Sequence, residues 1–145
     1  MRVVKKTSAT PRDILLVRIK LFLLCQEPYN MVIQTISSML GYSGSTASSW
    51  INGSKPPGAF SAQVILDGTD NVLAQGDKDT AEDLANTPSM VANYAYKAFD
   101  TVFLGHLQSA RNRYGVGGHK LYLLQSPGRK VRTKPKGAMN GPVAE

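Results

Sequence analysis

The residue types that most often carry chemistry are sparse in this chain and stand apart from one another. His106, His119 and the single Cys25 fall at no zinc-ligand spacing. Cys25 has apolar neighbours, which predicts a buried, inert thiol. With no second cysteine there is no internal disulfide, as fits a reducing compartment. The carboxylates Asp67, Asp70, Asp77, Asp79, Glu82 and Asp83 miss the spacing of a calcium loop and read as a solvated face. Gly115-Val116-Gly117-Gly118-His119-Lys120 superficially resembles a phosphate loop but lacks its length and the Ser/Thr after Lys, so it reads as a turn. No catalytic constellation emerges. The expectation is a protein that is not an enzyme and takes no metal or other cofactor.

What remains is chemistry suited to a polyanion. Gly44, Ser45, Thr46, Ser48 and Ser49 form a small, hydroxyl-rich surface if they lie outward on a helix, with Ala47 and Trp50 facing inward. Serine and threonine can donate to or accept from any base edge and can bond to phosphate, so sequence discrimination through them is weak. Backbone amides at a helix start can hold a phosphate, and Asn52 and Lys55 add polar groups just beyond the helix end. The formal charge of +7 is unevenly placed. Residues 1–20 hold Arg2, Lys5, Lys6, Arg12, Arg18 and Lys20 against Asp13 alone, and residues 129–136 hold Arg129, Lys130, Arg132, Lys134 and Lys136 with no acid. Cationic ends of this kind supply steeply salt-dependent affinity for nucleic acid and can lie along a backbone or in a minor groove.

The segment that must position the hydroxyls is Ile33 to Pro57. Ile36, Leu40, Tyr42, Ala47 and Trp50 are apolar at offsets that suit two short helices, at about 31–40 and 44–51, meeting at a bend. Ser37 is small where the helices approach closely. Gly41 lies at the bend, which needs positive φ. Ser43 is a plausible N-cap for the second helix, and Asn52-Gly53 stops it. The pattern is that of a helix-turn-helix unit.

These residues resemble the helix-turn-helix of phage repressors and Cro-type regulators, in which a small residue, a turn glycine and spaced apolar positions recur in this order. Trp50-Ile51-Asn52-Gly53-Ser54-Lys55-Pro56-Pro57 is similar to the N-G-x-x-x-P ending of the second helix in that family. The resemblance covers about twenty-five residues of the 145. It departs at Ile33, where the family often has a Gln that braces a phosphate, since here Gln34 stands one place later. It departs again at Ala47, smaller than the usual Val or Ile. The resemblance implies that Gln34, Gly44, Ser45, Thr46, Ser48, Ser49, Asn52 and Lys55 face DNA.

The rest of the chain reads as helical scaffolding. Residues 1–9 form a basic arm. Thr10-Pro11-Arg12-Asp13 is a helix start, and the helix should reach about Gln26 and be buried on more than one side, although Val17, Ile19, Leu21 and Leu23 also alternate as a strand would. Arg18 and Lys20 interrupt its apolar run, which is too short to span a bilayer. Residues 59–66 and 119–124 suit either helix or strand. Thr80 with Asp83 resembles a capping box and predicts a short helix to about Ala85. Thr87-Pro88 opens a long helix predicted to run to Tyr114, with His106 on its apolar face and Gly115 ending it.

The predicted architecture is mainly α: a helix-turn-helix-containing bundle with a long C-terminal helix and basic flexible tails. Its segments are a basic arm (1–9), a helix-turn-helix-like domain (10–66), an acidic connector (67–86), a packing or oligomerisation segment (87–125) and a basic tail (126–145). The expected function is nucleic-acid binding, with DNA ahead of RNA, as a transcriptional regulator of the phage repressor or Cro type, homo-oligomeric, without a membrane partner, cytoplasmic or nucleoid-associated. Two alternatives stand beside it. One is a viral packaging or coat component located in the virion, and the other an RNA-binding component of a ribonucleoprotein.

Overall fold

The computed structural model describes residues 9–116 and Leu121. Within them the chain is mainly helical and has no strand. Seven helices follow in order: α1 (Pro11–Leu24), α2 (Ile33–Leu40), α3 (Gly44–Asn52), α4 (Ala59–Asp70), α5 (Gln75–Ala85), α6 (Pro88–Tyr94) and α7 (Thr101–Arg113). The arm, the basic tail and the question of helix or strand at 119–124 lie outside the described residues, Ala9 and Leu121 excepted.

Helix α1 is the axis of the fold. The Thr10 hydroxyl accepts from the Asp13 amide at 3.2 Å, Pro11 occupies the first turn, and Asp13 supplies the negative charge that a helix start favours. Every residue from Ile14 to Leu24 is buried, because α3, α4, α5 and α6 all pack against this one rod. An enclosed helix has no solvent face on which to leave charges, so Arg18 and Lys20 must find partners inside. Lys20 Nζ reaches Asp70 Oδ1 at the end of α4 at 2.6 Å.

The segment 59–66 is resolved as the first part of α4, a helix with Ala62, Ile65 and Thr69 turned inward. Gly68 lets α4 approach α2, since a Cβ there would stand 2.5 Å from Leu40 Cδ2.

Two expectations for the second half fail. The acidic stretch is not a solvated connector: α5 begins at Gln75, packs against α1 and α7, and buries Asp77 completely. Asp77 accepts from Arg111 Nε at 2.8 Å and from Arg111 Nη2 at 3.0 Å, and the Tyr29 hydroxyl donates to it at 2.7 Å. Thr80, read as a cap, sits buried in mid-helix and donates to the Gly76 carbonyl at 2.8 Å.

The long helix from 87 to 114 is broken. α6 ends at Tyr94 and α7 starts at Thr101, capped by Asp100, whose carboxylate accepts from the Phe103 amide and the Tyr94 hydroxyl, both at 2.9 Å. These bonds hold the Asp100 pKa below its ordinary value, with the Phe103 amide foremost. The break also changes which residues face inward. Phe103, Leu107, Ala110 and Arg111 are buried, while Val102 and His106 are exposed, so His106 is not on the packed face. Phe22, Tyr94, Phe99 and Phe103 fill the corner where the chain turns, with Phe99 stacked on Phe103 at 3.9 Å.

Candidate nucleic-acid interface

Helices α2 and α3 are joined by a three-residue turn whose chemistry is local. Gly41 takes φ +85° and its amide bonds back to the Ser37 carbonyl at 2.8 Å. Tyr42 bonds to the same carbonyl at 3.0 Å, so one acceptor closes α2. The Ser43 hydroxyl then caps α3 by accepting from the Thr46 amide at 3.2 Å. Behind the turn, Tyr42 meets Trp50 edge-to-face at 4.8 Å. Ile36, Leu40, Ala47, Trp50 and Ile51 are buried, with α3 seated on α1 and α2 on α4.

The far end of α3 is held from within by Arg18. Its Nε and Nη2 donate to the Ile51 carbonyl at 3.1 and 2.9 Å. Its Nη1 donates to the Tyr94 carbonyl and, at 2.8 Å, to Lys97. Its guanidinium lies 4.1 Å over the Phe99 ring. A cation therefore sits where two helices, α3 and α6, direct their partly negative C-termini. Burial lowers the Arg18 pKa to about 10, still well above neutrality, so the group stays charged. Gly53, with φ +85°, leaves the space that the guanidinium fills.

The sequence-predicted contact residues divide on their exposure. Ser45, Gln34 and Lys55 are exposed, and Gly44, Thr46, Ser49 and Asn52 are half-buried. Ser48 is buried at 6% exposure and is not on the outward side. Ala47, Trp50 and Ile51 face inward together, and Ser48 flanks this stripe about 60° beyond Ile51 on the wheel, so the buried arc of α3 is wider than its apolar residues alone. Several hydroxyls are also spent locally. Ser49 donates to the Thr46 carbonyl at 2.7 Å and Ser43 to Thr46 Oγ1 at 2.8 Å. Asn52 accepts from the Ser54 amide at 3.0 Å. Arg2, Lys5, Lys6, Arg129, Lys130, Arg132, Lys134 and Lys136 lie outside the described residues.

Charge is segregated along the chain. Between Glu27 and Asp67 the sequence holds no carboxylate and one cation, Lys55. The acids cluster from the end of α4 through α5, where Asp70, Asp77, Glu82 and Asp83 pair with Lys20, Arg111, Arg12 and Arg113. Residues 9–116 hold eight Lys/Arg against nine Asp/Glu. The excess positive charge of the whole chain therefore belongs to residues 1–8 and 117–145.

Sequence reasoning passed over Phe60. This ring is 79% exposed, more than any other large apolar side chain among the described residues. Its phase carried the signal: it lies two residues before buried Ala62, about 200° round the helix.

No known protein family, curated protein or solved structure matches this chain. Among the described residues no helix is long and apolar enough to cross a membrane, and no group of His, Cys, Asp or Glu is placed to hold a metal ion.

Proposed function

We propose that this chain binds nucleic acid, with duplex DNA as the target, and that α3 is the element laid against it in the manner of a helix-turn-helix regulator. The observation that supports the reading is the α2–Gly41–α3 pair: a short left-handed turn, a capped second helix with Ser45 exposed and Thr46 and Ser49 half-buried, and no carboxylate from Pro28 to Leu66. The basic terminal segments supply the long-range attraction, and α3 supplies the shape. Binding is the whole activity, with no reaction catalysed.

The test is the double substitution Ser45→Glu and Asn52→Asp. A glutamate in the first turn of α3 suits the helix dipole, and an aspartate at 52 keeps an acceptor for the Ser54 amide. The Ser54 contact is kept and two negative charges are set on this side, the one at 52 against the helix dipole, so circular dichroism is read alongside binding. Loss of duplex binding in a gel-shift assay, with the circular dichroism unchanged, is the expected result. Unaltered affinity rejects the reading.

A second reading is favoured by the charge segregation. A near-neutral folded body carrying its excess cations at both ends also suits a packaging or coat protein that holds nucleic acid with little regard to sequence. Light scattering with and without nucleic acid separates the two, since a regulator forms a dimer and a packaging protein forms rings or filaments.

A further inference from the structure

We propose that Phe60 is a stacking platform for an unpaired base of the bound nucleic acid, an inference that rests on the reading above and adds a strand-opening contact to it. Phe60 stands in the first turn of α4, next to Ser61. The Ser61 hydroxyl and the Tyr42 hydroxyl are 2.9 Å apart, and Tyr42 immediately precedes Ser43, the N-cap of α3. That bond places the first turn of α4 beside the turn from which α3 starts. The ring thus belongs to the same part of the fold as Ser45, and it is the one large apolar side chain there left almost entirely to solvent.

Its surroundings decide what can cover it. A protein partner or a second copy would need a contiguous apolar patch. Around Phe60 stand Ala59 and Gln63, both exposed, and Val64, half-buried one turn on, with Lys55 and Pro56 upstream, and together these fall short of such a patch. A single flat ring among polar neighbours matches a single flat partner. Nucleobases all have a π-face, and stacking on an aromatic side chain tolerates any sequence. Between Glu27 and Asp67 the sequence has no carboxylate and one cation, Lys55, and the acid on the ring's side of α4 is Asp67, two turns along, which accepts from Gln63 Nε2 at 3.0 Å. A base inside an intact duplex is already stacked on both faces, so the occupant is a base in a single strand or one pulled from its neighbours.

The experiment compares the wild-type chain, Phe60→Ala, Phe60→Trp and the Ser45→Glu/Asn52→Asp pair by fluorescence anisotropy. The probes are a labelled oligothymidylate and a labelled blunt duplex. Phe60→Ala should weaken oligothymidylate binding about tenfold while leaving the duplex nearly unchanged. Phe60→Trp should restore affinity, and its added indole emission should be quenched on binding. Wild-type affinity of Phe60→Ala for both probes overturns the stacking role and leaves the α3 reading standing. Equal losses on both probes also overturn it, because they mark a backbone contact. A wild-type chain that binds neither probe removes both proposals. A fall in the mass of Phe60→Ala by light scattering assigns the ring to self-association and overturns the inference.

Discussion

The Arg18 guanidinium donates through both Nε and Nη2 to one oxygen, the carbonyl of Ile51, at 3.1 and 2.9 Å. The same group reaches Tyr94 and Lys97, so one residue of the central helix fastens the end of α3 to the break between α6 and α7. Removing it leaves the buried carbonyls of Ile51 and Tyr94 without this donor, at about 1–3 kcal/mol each. Arg18→Ala should therefore lower unfolding free energy by about 3 kcal/mol in urea titration. Gly53 gives a second handle on the same contact. A Cβ at Gly53 stands 2.9 Å from Arg18 Cζ, whereas one at Gly41 meets nothing within 4 Å. Both positions have φ +85°, so Gly41→Ala should cost about 1–2 kcal/mol from backbone strain alone, and Gly53→Ala measurably more. Equal costs at the two glycines exclude the close approach.

Asp77 and Arg111 form an ion pair with both side chains fully enclosed, and Arg111 Nη2 also donates to the Glu27 carbonyl at 3.0 Å. Breaking a buried pair from one side strands the other charge, at about 3–5 kcal/mol. Asp77→Asn and Arg111→Met should each be this costly, while the double substitution Asp77→Leu/Arg111→Met should recover much of the loss. A double-mutant cycle in guanidinium chloride measures the coupling. Additive single losses would show that the two groups act independently.

Alkaline pH should weaken the fold in a defined order. Burial pushes the Cys25 thiol from its ordinary 9.0 up to about 12, and Tyr29 from 10.0 up to about 12, chiefly by desolvation. Both groups are neutral when protonated, and the unfolded chain gives up those protons first. The stability they contribute is complete below pH 9 for Cys25 and below pH 10 for Tyr29, and drains away as pH rises towards 12. Arg18 acts in the opposite sense from about pH 10 upward, because its folded pKa lies below its ordinary 12.5. Cys25→Ala should therefore flatten the decline in urea midpoint between pH 9 and 10. A slope identical to that of the wild type over this interval would remove Cys25 from the account.

Local chemistry made part of this fold legible. Thr10-Pro11, Gly41, Ser43 and Asn52-Gly53 are signals read within one or two turns, and α1, α2 and α3 start or stop at them. Pairings distant in sequence were not legible. Nothing in a charge pattern tells Asp77 that Arg111, 34 positions on, will bury with it, so Asp77 read as part of a solvated face. The break at residues 95–100 shows the same limit, since apolar spacing across 87–114 supports one helix. The break is held by the Asp100 cap on α7 and by Arg18, which donates to the Tyr94 and Lys97 carbonyls from a helix far away in sequence. Ser48 was misjudged for a narrower reason. Ile51 carries the apolar stripe of Ala47 and Trp50 round towards Ser48, which still lies about 60° past it and is buried as a polar flank of that stripe.

The enclosure of α1 has a consequence for synthesis. This helix leaves the ribosome ahead of every element that covers it, and α5 and α6 arrive only in the second half of the chain. Until then a strongly greasy rod lacks the two helices that complete its enclosure, and Arg18 lacks the Tyr94 and Lys97 carbonyls. Nascent chains stalled before α5 should therefore be clients for holding chaperones, and the finished molecule should form late and as a whole.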